Sequence, residues 1–77
     1  MHLHIYSLQN TVYEGESDSV TLPTDSGEIS VLNHHIPLVT TLKKGIVSAR
    51  TNDTPTELPI GGGMAYTDGE KLVVLAD

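Results

Sequence analysis

The chain has no cysteine, no tryptophan and no phenylalanine, and its three aromatic residues are all tyrosine. The absence of thiols excludes disulfides and thiolate metal sites, a composition that fits a reducing compartment. With so few large rings, the core of this 77-residue chain must be filled by Leu, Ile and Val. A single domain of this size buries only about 60–65% of the surface its unfolded chain exposes. Basic residues are scarce too: four Lys and Arg stand against ten Asp and Glu, for a formal charge of −6. That balance excludes a nucleic-acid or anionic-membrane footprint and favours a basic partner surface. No apolar run approaches the roughly 20 residues that span a bilayer. The N-terminus also lacks the basic and hydrophobic regions of a signal peptide, so a soluble, untargeted chain is expected.

What is there reads as strands. Residues 2–8 alternate, with Leu3 and Ile5 on one face and His2, His4 and Tyr6 on the other. Short apolar segments follow at 12–15, 18–22 and 29–31, the second stopped by Pro23 and the third opened by a tight Asp25-Ser26-Gly27 turn. Residues 38–42 and 46–50 make a pair around Gly45, and the polar stretch 51–57, centred on Pro55, reads as a hairpin loop. Segments 57–60 and 64–67 flank three glycines, and Asp68-Gly69 is a hairpin signal before Leu72-Val73-Val74-Leu75. That last segment is apolar on both faces, which predicts a strand buried between layers. No window of eleven or more residues has a helical period. The expectation is one all-β domain over residues 1–77, a two-layer β-sandwich or flattened barrel of about ten short strands.

Few constellations point to chemistry. His2 and His4 share a strand face at a spacing that can chelate Zn or Ni, but no cysteine and no fixed acidic third ligand lie nearby in sequence, so solvent-facing histidines are expected. His34 and His35 cannot point the same way on an extended chain and have no catalytic partner set. Gly61-Gly62-Gly63 lacks the Lys and Ser/Thr of a phosphate-binding loop, and glycines at a strand start more often permit close backbone approach. Glu14, Glu16, Asp18, Asp25 and Glu28 form an acidic run in sequence around the Asp25-Ser26-Gly27 turn. Residue chemistry alone makes it a solvated face. No catalytic residue, cofactor site or metal site is assigned, and an enzymatic reading is rejected. Composition and periodicity describe a small acidic β domain, a binding module.

The stretch 24–42, TDSGEISVLNHHIPLVTTL, resembles the N-terminal domain of the epsilon subunit of rotary F-type ATP synthases. Glu28, His35, Pro37, Leu38 and Thr40 stand where that family has them. The likeness extends upstream through VYEGESDSVTLP and downstream through Leu42-Lys43-Lys44-Gly45, Gly62-Gly63 and Val73-Val74-Leu75-Ala76-Asp77. Ser30 replaces a usual Gly, Asn33-His34 a usual Pro-Gly, and Gly61 a usual Ser. The resemblance implies two packed five-stranded sheets and a non-catalytic central-stalk subunit. Such a subunit links the gamma shaft to the c-subunit ring and so couples proton or sodium transport to ATP synthesis. It implies a gamma-facing surface at Ser7, on the first strand, and His35. It also implies a ring-facing loop at Asp25, Ser26, Gly27 and Glu28. The implied location is the cytoplasmic face of the bacterial inner membrane, as a peripheral subunit with no direct membrane insertion. The family's helical hairpin, which usually follows this domain, would begin where this sequence ends. Two other readings are an adaptor binding a different basic protein and a small histidine-dependent metal-binding domain.

Overall fold

The structure is a computed structural model that describes residues 1–7, 10–33 and 37–77. Nine strands account for most of the described chain, and no helix occurs among the described residues. They are β1 (His2–Tyr6), β2 (Thr11–Glu16), β3 (Ser19–Thr24), β4 (Gly27–Leu32), β5 (Leu38–Leu42), β6 (Gly45–Thr51), β7 (Thr54–Ile60), β8 (Gly63–Thr67) and β9 (Lys71–Ala76). They form one continuous curled sheet in the order β2-β1-β9-β8-β5-β3-β6-β7, with β4 on β3. The β1–β9 pairing is parallel, and every other pairing is antiparallel.

The sheet folds over at β5 and β3, which share only the pair Thr24 and Leu42. Strands β2-β1-β9-β8-β5 form one layer and β4-β3-β6-β7 the other. Among the described residues these are layers of five and four strands, where the family resemblance implied five and five. Inward residues of both layers meet in one core: Leu3, Ile5, Leu72 and Val74 from the first, Val20, Leu22, Val31 and Val47 from the second. Each of these eight is essentially inaccessible to solvent, as a core built without large rings requires.

Pro23 does not stop β3. The strand changes partner there, from β6 at Thr21 to β5 at Thr24, so no ladder N–H is lost. Its carbonyl accepts the Lys43 N–H at 2.9 Å. Gly45 makes this corner possible, since a Cβ there would stand 2.8 Å from the Pro23 Cβ.

Other boundaries shift for similar reasons. Strand β1 ends at Tyr6, because Ser7 N–H donates to the Asn10 carbonyl at 2.8 Å and turns the chain. Strand β2 runs through Gly15, which pairs with Leu3. The loop expected over 51–57 is only the two-residue turn Asn52-Asp53, both with positive φ (51° and 64°). The ladder closes directly from Thr51 to Thr54, and β7 accepts Pro55 and Pro59 because it is an edge strand. Strand β9 is central in its layer but buries one face only; Leu75 is 54% exposed.

Candidate functional site

Thr24 and Gly27 close the β3–β4 hairpin around Asp25 and Ser26, with Gly27 at φ 114°. Three side-chain hydrogen bonds fix this turn. The Thr24 hydroxyl accepts the Ser26 N–H at 3.2 Å and donates to the Gly27 carbonyl. The Asp25 carboxylate accepts the Thr41 hydroxyl at 2.7 Å, which ties the tip to β5. Glu28 follows on β4, exposed and opposite Pro23.

Strand register brings Ser7 to the same end of the molecule as this tip. Tyr6 pairs with Leu75, Ala76 with Gly63, Gly63 with Leu42, and Leu42 with Thr24. Ser7 follows Tyr6, so it stands at one end of a row whose other end is the Asp25-Ser26 turn. The two are four strand spacings apart, about 19 Å along the sheet. Ser7 lies in the β1–β2 connection rather than on the first strand, where it had been expected. His34 and His35 lie outside the described residues.

The acidic run does not gather at the tip. Asp18 accepts the Asn52 N–H at 3.0 Å at the opposite end, while Glu14 and Glu16 lie on β2 beside β1. There His2 pairs with Glu16 and His4 with Glu14 across the ladder. His2 Nδ1 lies 3.0 Å from Glu16 Oε1, and the Met1 ammonium lies 3.5 Å from Glu16 Oε2. The His2 hydrogen bond holds the Glu16 carboxyl below the ordinary range; desolvation opposes this and the ammonium adds to it. Sequence reasoning placed the two histidines on one face but missed Glu14 as their neighbour. The short connection between the first two strands signals that they pair, but not the register, which shifts between Ile5 and Tyr6.

The expected close approach holds for Gly62 and Gly63 but not for Gly61, which is exposed and where a Cβ would meet nothing nearer than 4.0 Å. A Cβ on Gly63, at φ 141°, would stand 2.0 Å from the Leu75 carbonyl oxygen. Asp68 anchors the β8–β9 turn by accepting the N–H groups of Glu70 and Lys71 at 3.0 and 3.1 Å, which lowers its pKa. The outer face of β5, β8 and β9 carries a mainly apolar depression of about 280 Å³ lined by Val39, Met64, Tyr66, Val73 and Leu75, together with Lys71.

The β-sandwich domain of the ATP synthase delta/epsilon chain matches residues 1–77, the whole of the sequence. The chain belongs to that family. Epsilon chains of ATP synthase are similar throughout: that of Prochlorococcus marinus is 35% identical over 75 residues, covering 97% of this chain. That of Campylobacter jejuni subsp. jejuni is 39% identical over 77 residues, covering 99%. The chain spans 56% and 60% of the length of these two relatives. Two cryo-EM structures share the fold. One is the Euglena gracilis mitochondrial ATP synthase, described as OSCP/F1/c-ring, with a TM-score of 0.89 at 22% identity over 96% of this chain and 48% of that one. The other is the central stalk/c-ring of the Tetrahymena thermophila mitochondrial ATP synthase, with a TM-score of 0.81 at 10% identity over 97% and 61%. At these identities the likeness concerns the fold alone. The delta/epsilon β-sandwich is thus the same architecture that composition and strand punctuation predicted.

Proposed function

We propose that this domain works as the stalk part of an epsilon subunit, joining the gamma shaft to the c-subunit ring of a rotary ATP synthase. The observation that carries the reading is the family match over all 77 residues. In this reading the domain is non-catalytic, and its work is to transmit rotation driven by proton or sodium flow. It sits at the cytoplasmic face of a bacterial inner membrane as a peripheral subunit. A close-packed sandwich suits that work because it carries load with little deformation. Asp25, Ser26, Gly27 and Glu28 face the ring, and Ser7 and His35 face gamma. The Thr41 contact supports the first assignment, since it stiffens a tip that must hold its position under load.

The test is assembly with gamma and purified c ring. Cysteine at Ser7 or His35 is expected to crosslink to gamma, whereas cysteine at Thr54, beside the turn at the far end of the sheet, is not. Equal crosslinking at all three positions would remove the gamma assignment. One exposed ion pair contributes only about 0–1 kcal/mol, so Glu28→Ala weakens ring association slightly. Glu28→Lys weakens it more, by adding repulsion, and raised salt narrows the difference between the two variants. A Glu28→Lys variant that binds the ring like the parent at low salt would show that Glu28 belongs to a solvated face.

A further inference from the structure

The geometry points to a divalent-cation site, of the zinc class, on the outer face of β1 and β2, with His2, His4 and Glu14 as ligands. One ligand atom from each of the three residues lies within 4.8 Å of the others. His2 Nε2 is 3.7 Å from Glu14 Oε2, and His4 Nδ1 is 3.7 Å from Glu14 Oε1. Zinc bound at about 2.0–2.2 Å in a tetrahedron holds neighbouring ligand atoms about 3.3–3.5 Å apart. The two 3.7 Å distances run to different Glu14 oxygens, so closing the triad from within 4.8 Å takes shifts of up to about 1.5 Å, shared between the Glu14 side chain, 54% exposed, and the imidazole rings.

The backbone supplies what the sequence spacing lacks. His2 and His4 project from one face of a strand whose other face, at Leu3 and Ile5, is locked in the core. The antiparallel register sets Glu14 directly opposite His4 and diagonal to His2. The hydrogen bond between His2 Nδ1 and Glu16 leaves Nε2 as the metal-facing nitrogen, the carboxylate–histidine–metal pattern that fixes a ring and raises its basicity. Two imidazoles and a carboxylate suit a borderline ion such as Zn²⁺. The exposed side of the site leaves a fourth position open to water.

Two features oppose binding. The Tyr6 hydroxyl lies 3.1 Å from His4 Nδ1 and must give way to the metal. Lys71, in register with His2 on β9, adds a positive charge nearby, tempered by its attraction to Asp68. The Met1 ammonium on the other side is held by Glu16 and the Ser17 carbonyl.

The 77-residue chain closes its own core, so the test uses it directly, titrating Zn²⁺ against a chromophoric zinc chelator. The expected result is one Zn²⁺ per chain, with a higher midpoint of thermal unfolding in its presence. Glu14→Gln, an exposed change that leaves the fold intact, and His4→Ala should each weaken binding about tenfold or more, and Glu16→Gln by about tenfold. Tyr6→Phe should bind as tightly as the parent or several-fold more tightly, because it frees His4 Nδ1. Binding that survives Glu14→Gln and His4→Ala but is lost on N-terminal acetylation would overturn the proposal in favour of a chelate between the terminal amine and His2. Absence of 1:1 binding by the parent chain would also overturn it.

Discussion

The outer face of the five-stranded layer has two halves of opposite character. On β1 and β2 it presents His2, His4, Tyr6, Glu14 and Glu16, and the ion pairs found among the described residues all lie there. On β9, β8 and β5 it presents Val73, Leu75, Met64, Tyr66 and Val39, with Val39 61% exposed. The inward positions of the same strands differ much less: Leu3, Ile5, Leu72, Val74 and Ala65 are all buried and apolar, and Thr67 at the end of β8 is the buried polar exception. The core constrains inward side chains tightly and leaves outward ones free, so outward chemistry is where this small domain differs from place to place.

The comparison can be broken most severely from within the backbone. Gly63→Ala puts a methyl group against the Leu75 carbonyl at a φ that side chains rarely adopt. It should cost on the order of 4 kcal/mol, much of the stability of a domain this size. Urea unfolding followed by far-UV circular dichroism would register this as a large drop in midpoint; a midpoint near the parent's would mean that β8 and β9 approach less closely than described.

Next come paired substitutions on the two faces. Leu3→Ala beneath the ionic half and Leu72→Ala beneath the apolar half should each cost about 2–5 kcal/mol. Leu75→Thr and His4→Thr on the outer face should stay within about 1 kcal/mol of the parent. If Leu75→Thr proved as costly as Leu72→Ala in the isolated chain, the apolar half would have to be counted as core.

The smallest effect is on pH dependence. Glu16 in the ionic half and Asp68 in the turn beside the apolar half are both exposed, and both have lowered pKa values. A carboxylate whose folded pKa is depressed adds stability above its unfolded pKa and loses it as pH falls through the folded one. Glu16→Gln and Asp68→Ala should therefore be slightly less stable than the parent at pH 7. Each gap should shrink as pH falls below the ordinary values of 4.5 for Glu16 and 3.8 for Asp68. Urea midpoints at pH 7 and pH 3 would show it; a gap that stayed constant would mean that the charge of these groups contributes nothing.

The alternation of Leu3 and Ile5 against His2 and His4, the turn at Asp25-Ser26-Gly27 and the hairpin at Asp68-Gly69 were legible in the sequence. They depend on period-two side-chain placement and on local turn chemistry, both properties of a few consecutive residues. So was the family, whose residues at 24–42 form one continuous stretch. Tertiary structure alone decided the rest. Pro23 is tolerated inside β3 because the strand changes partner there, and Val73 and Leu75 face outward although their segment reads as buried on both sides. Ser7 reaches the end of the molecule that carries the Asp25-Ser26 turn through four pairings between distant segments. Glu14 meets His2 and His4 because a bulge between Ile5 and Tyr6 sets the register of β1 on β2. Each of these depends on which strands lie side by side and in what register, a choice made by burying one shared core.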